Sequence, residues 1–94
     1  MDSIIQKDTS RCFICHSRQW LEYHHVFGGA LRDKAGELGL VVRLCHYCHN
    51  EPPRGVHQNA YIRRKLQALA QRKAMERYGW TVEDFRREFR KSYI

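Results

Sequence analysis

Four cysteines stand in two pairs, Cys12-Phe-Ile-Cys15 and Cys45-His-Tyr-Cys48, with two residues inside each pair. That spacing lets a tight turn bring both sulfurs of a pair onto one ion. Two such pairs supply the four thiolates of a tetrahedral zinc site. Cys12, Cys15, Cys45 and Cys48 are therefore the expected ligands of a structural Zn2+. The histidines gather around the same segments. His16 and His46 lie within the knuckles, His24-His25 between the pairs, His49 directly after the last cysteine, and His57 beyond a Pro-Pro turn. A neutral imidazole can ligate a metal, and it can also take a proton near physiological pH. Folding around the thiolate-bound ion is expected to gather three or more of these rings at a second, open metal position acting on a phosphate.

Other readings compete with this one. Cys12-x-x-Cys15-His16 and Cys45-x-x-Cys48-His49 both match the attachment pattern of c-type haem. Attachment of that kind normally requires export, and residues 1–10 contain no apolar run of signal-peptide length. A strong Soret band would decide for haem. Paired cysteines can also be buried without metal, and either member of His24-His25 can be simply exposed or packed.

The elements that must position these residues follow from periodicity. Trp20 to Val26 alternates as a strand, with Leu21, Tyr23 and His25 on one face and Glu22, His24 and Val26 on the other. Gly28-Gly29 ends it. Residues 30–39 form a connection with room for a helical turn, and Leu40 to Leu44 is the expected partner strand, feeding into Cys45. Pro52, Pro53 and Gly55 interrupt regular structure. From about Gln58 to Tyr78 the spacing of Ile62, Leu66 and Leu69 predicts a helix that Gly79 stops. Thr81, with Asp84 three residues on, predicts the N-cap of a last helix striped by Phe85 and Phe89. Residues 1–10 are polar and read as a loosely held lead-in.

Ninety-four residues make one domain, residues 1–94, with a marginal core. Domains of this size often need a staple. Structural zinc contributes roughly 10–16 kcal/mol of apparent binding energy. No stretch approaches the ~18–20 apolar residues of a membrane span. A cytoplasmic chain with reduced thiols and no membrane partner is expected, and there paired cysteines usually mean metal. The net charge of +7 is uneven: residues 1–53 carry six Lys/Arg against six Asp/Glu, and residues 54–94 carry eleven against four. The excess suits a polyanionic partner, although a solvated basic surface is the plainer reading. Arg63, Arg64, Arg72, Lys73, Arg86, Arg87 and Arg90 are the expected phosphate contacts. Such contacts position a duplex without reading its sequence, so weak or no sequence specificity is expected.

With Tyr23-His24-His25-Val26-Phe27 and Leu44-Cys45-His46-Tyr47-Cys48-His49-Asn50, bracketed by Cys12 and Cys15, the chain resembles the HNH endonuclease family. The resemblance covers roughly residues 11–60. With Gly28-Gly29 and Gly55-Val-His-Gln-Asn59 it is most similar to small phage or prophage members. It implies an α+β fold: a zinc-stapled, treble-clef-like ββα-metal core over residues 11–60, extended by basic helices over residues 58–94. It also implies metal-dependent hydrolysis of DNA phosphodiesters, leaving a 5′-phosphate and a 3′-hydroxyl. His24 and His49 would be ligands of a catalytic divalent metal (Mg2+, Mn2+, Ni2+ or Zn2+), and His25 would be the general base. A phage-encoded chain would act in the bacterial host cytosol, as a homodimer or beside other DNA-processing proteins.

Two departures from the family pattern stand out. The asparagine that often opens the second strand is absent near Gly39-Leu40. Pro53 occupies the position of the closing histidine, so His57 is the candidate to complete the ligand set, with Asn50 in a supporting role. The same cysteines and basic helices would also suit a non-catalytic, zinc-stabilised DNA-binding phage accessory protein, or a zinc domain for protein interaction.

Overall fold

A computed structural model describes residues 2–94. It is a small α+β structure with one two-stranded antiparallel sheet and four α-helices. Strand β1 (Leu21–His25) pairs with β2 (Val41–Cys45) in a register that sets His24 against Val42 and Glu22 against Leu44. The two strands are joined by a 3-10 turn (Gly29–Leu31) and helix α1 (Arg32–Glu37). Strand β2 runs directly into the short helix α2 (His46–Asn50). Helices α3 (Ala60–Tyr78) and α4 (Val82–Phe89) complete the chain.

Strand β2 is buried on both faces, with Val41, Val42, Leu44 and Cys45 all hidden. On β1 only His24 is buried, Tyr23 and Glu22 retaining access to solvent, and the chain dips into the core just beyond the strand at Val26 and Phe27. Phe27, two residues past His25, packs against α4: its ring centroid lies 5.7 Å from that of Phe85, 4.8 Å from Phe89 and 4.9 Å from Tyr93. Aromatic groupings of this kind bury large apolar area. The residues expected to stripe the last helix therefore do so, against the end of β1.

Helix α3 begins at Ala60, two residues later than its periodicity suggests. Asn59 caps it, its side chain accepting from Ile62 N at 3.0 Å. An amide side chain there satisfies an N–H that has no partner within the helix. The fully buried row of α3 is Ala70, Gln71 and Ala74, with Leu66 nearly so; Ile62 and Leu69 are only half-buried. Small residues let the helix approach closely. Gln71 is satisfied by donating to Ser92 Oγ at 3.0 Å and accepting from Tyr93 N. Gly79 takes the left-handed conformation (φ 67°) that ends the helix. Thr81 and Asp84 form the reciprocal capping box.

The N-terminal segment is not loose. Ser3 Oγ donates to Val41 O and accepts from Ile5 N and Gln6 N, both at 3.0 Å. Gln6 accepts from Arg43 N at 2.8 Å and donates to Arg11 O at 2.7 Å. These polar side chains satisfy the outer edge of β2, which a two-stranded sheet leaves unpaired. Polarity alone therefore misread residues 2–10.

Candidate metal centres

The two cysteine pairs meet at one point. Cys45 ends β2 and Cys48 lies on α2, while Cys12 and Cys15 lie on the turn before β1. That turn is held by His16 N donating to Cys12 O at 3.0 Å, with His16 in the left-handed region (φ 68°). Phe13 N donates to Arg43 O at 2.8 Å, docking the turn on β2. All four Sγ atoms lie within 4.8 Å of one another, and Cys15 Sγ is 3.6 Å from Cys45 Sγ. Zinc–sulfur bonds of ~2.3 Å in a tetrahedron separate the sulfurs by about 3.8 Å. The cluster is thus consistent with a structural zinc ion. Burial and the neighbouring sulfurs push the Cys48 thiol well above its ordinary range, so a thiolate here needs a cation beside it.

A second cluster forms from His24, His49 and His57, each offering a ring nitrogen within 4.8 Å of the others. The ring centroids are 5.2 Å apart for His24 and His49, 5.2 Å for His24 and His57, and 4.7 Å for His49 and His57. The elements explain the convergence. His24 is buried on β1, and His49 comes from α2, one residue past Cys48. His57 is brought alongside because the returning chain runs along α2. Val56 N donates to Cys48 O at 2.9 Å and His57 N to His49 O at 3.3 Å. Gly55 makes that return possible. A Cβ there would fall 2.4 Å from Gln58 Oε1 and 2.6 Å from Glu51 N. Arg63 secures the loop from α3, donating to Val56 O at 3.1 Å and His57 O at 3.4 Å. His57 accordingly sits ahead of α3, which begins at Ala60.

The donor chemistry fits a divalent cation. Burial and the charges of His49 and His57 hold the His24 imidazole down at about 3, and burial lowers His57 as well. Both are neutral near pH 7, as ligands must be. His49 Nδ1 lies 2.7 Å from Glu22 Oε1 and its Nε2 lies 3.0 Å from His57 Nε2. A carboxylate at Nδ1 draws the ring proton to that nitrogen, which frees the Nε2 lone pair to face His24 and His57. The hydrogen bond from His49 holds Glu22 below the usual carboxylate range. Asn50 Nδ2 also reaches the same Glu22 oxygen, at 3.4 Å.

Sequence reading had not singled out Glu22. Its signal was its shared strand face with His24, two residues away. His46 is held by two carboxylates: its Nδ1 lies 3.4 Å from Glu22 Oε2 and its Nε2 2.9 Å from Glu51 Oε1. These contacts, Glu51 foremost, raise its pKa.

His25 stands apart from the three clustered rings. Alternation turns it to the other face of β1, where it borders an open groove of about 350 Å³ with Arg32, Asp33, Gly36 and Glu37 of α1. Burial, then the charge of Arg32, lowers its pKa, against a smaller opposing effect of Asp33.

The basic residues of the C-terminal helices are unequal. Arg63 is engaged with backbone carbonyls, Arg86 pairs with Glu83 at 3.2 Å and Arg87 with Asp84 at 3.1 Å. Arg64, Arg72 and Arg90 are exposed, and Lys73 is half-buried. Among the described residues, no helix is long and apolar enough to cross a membrane. Comparisons with protein-family models, curated proteins and solved structures return no match.

Proposed function

We propose that this chain is a metal-dependent DNA endonuclease of the HNH type, built on a zinc-stapled ββα-metal core. The observation that carries the reading is the convergence of His24, His49 and His57 on one point. His24, His49 and His57 are the residues that would hold the divalent ion. When bound, it would supply positive charge to a phosphodiester oxygen. Glu22 orients His49 toward that point. His25, neutral near pH 7, accepts a proton from water as general base. The water oxygen bonds to phosphorus as the bond to the 3′-oxygen breaks, and that oxygen leaves as an alkoxide that takes its proton from solvent water. Unpaired cations such as Arg64, Arg72 and Arg90 would contact flanking phosphates without selecting sequence.

The test is nicking of supercoiled plasmid across a series of Mg2+, Mn2+, Ni2+ and Zn2+, beside His25→Ala. Wild-type nicking that falls at least 100-fold in the variant, with metal binding retained, is the expected result. Salt-sensitive DNA binding with no metal-dependent nicking would replace the reading with a non-catalytic DNA-binding module.

A further inference from the structure

We infer that Arg32 is the anchor for the phosphate that His25 works on, and that Gly36 supplies the clearance for it in the groove between β1 and α1. The inference deepens the endonuclease reading and rests on it. Three observations converge. The first is that Arg32 and His25 line the same open groove. The second is that Arg32 is exposed and forms no ion pair among the described residues, although Asp33 is its neighbour and Glu37 borders the groove. Arg63 is spent on loop carbonyls, Arg86 and Arg87 on acids of their own helix, and Arg43 lies over the Tyr23 ring at 4.6 Å. Arg64, Arg72 and Arg90 are as free as Arg32 but do not line the groove that holds His25. An unengaged guanidinium keeps its planar donor fork for two phosphate oxygens.

The third observation concerns Gly36. A Cβ at this position would come 3.3 Å from His25 Nε2 and 3.4 Å from its Cδ2. The ring edge that carries Nε2 therefore faces helix backbone with no side chain between. A methyl group there would crowd that nitrogen, and a longer side chain would fill the approach to it. The acids in the groove sharpen the assignment. Asp33 and Glu37 repel a phosphodiester, so an anion entering beside His25 needs the Arg32 countercharge.

The test uses the full chain and a short DNA duplex, with affinity followed by fluorescence anisotropy over a salt series without added divalent metal. One lost phosphate contact reduces the slope of log K against log salt by about 0.9. Arg32→Ala should show that loss and lower the turnover of plasmid nicking at least 10-fold. Arg32→Lys should restore the slope and only part of the turnover, because a single ammonium lacks the fork. Gly36→Ala should keep the slope and the melting temperature while turnover falls. An Arg32→Ala chain with wild-type slope and turnover would overturn the anchor, and a Gly36→Ala chain with wild-type turnover would overturn the clearance. If the wild type binds DNA without cutting it, hydrolysis fails, and the anchor is still decided by the slope. A wild type without salt-dependent DNA binding would sink both.

Discussion

Glu22 and His49 meet across the mouth of the hairpin, carboxylate oxygen to Nδ1, at 2.7 Å. One comes from β1 and the other from α2, 27 residues later in the chain. The contact settles which way the imidazole of His49 turns, and with it which nitrogen faces His24 and His57.

Glu22→Gln keeps the shape of that contact and removes its charge. The ring is then a weaker donor to a cation. Affinity for Mn2+ or Ni2+ at the histidine cluster should fall about 10–100-fold, measured by titration calorimetry. The zinc content of the cysteine cluster should be unchanged, because none of the four sulfurs touches Glu22. Wild-type affinity in this variant would mean that Glu22 does not orient the ligand.

Removal of metal from the cysteines should unfold the chain. An ordinary domain has only about 5–15 kcal/mol of net stability, comparable to the roughly 10–16 kcal/mol that structural zinc contributes. Cys48 is the most telling position, because it is buried on α2 beside His49. Cys48→Ser, or a strong chelator added to the wild type, should abolish the cooperative thermal transition seen by circular dichroism. A chelated chain that kept its helices and its melting temperature would leave the cluster as four packed thiols.

Acid should weaken the cap of the last helix. The backbone N–H of Thr81, donating at 2.9 Å, is the largest cause holding the Asp84 carboxyl below its usual range. A carboxylate whose folded-state pKa is depressed adds stability that is fully present above its unfolded value. That stability is lost as pH falls through the folded value. Urea midpoints should therefore drop below about pH 4, and Asp84→Asn should flatten part of that drop. Equal pH profiles for the two chains would show that the capping box carries no pH-dependent stability.

Much of the architecture was readable because it is local. The alternation of residues 21–25, the Gly79 stop and the Thr81–Asp84 box each depend on residues within a few positions of one another. The cysteine spacing announced its cluster for the same reason. Relationships across long separations stayed hidden. Glu22 was only a neighbour of His24 on one strand face until α2 was folded against it. Ser3 and Gln6 looked like solvated polar residues, yet they serve the free edge of β2. His57 was named from the sequence, but its approach to His49 depends on a backbone pairing between residues 55–57 and α2 that no periodicity encodes.

The five residues of α2 join two centres. Cys48 and His49 are consecutive, and about 100° of helical rotation aims one at the sulfurs and the other at the imidazoles. A tilt of this single turn moves both side chains at once. Any ion exchanged at the thiolates, cobalt for zinc for example, would therefore act as a vernier on the histidine geometry. Its visible spectrum would register whatever the neighbouring rings take up.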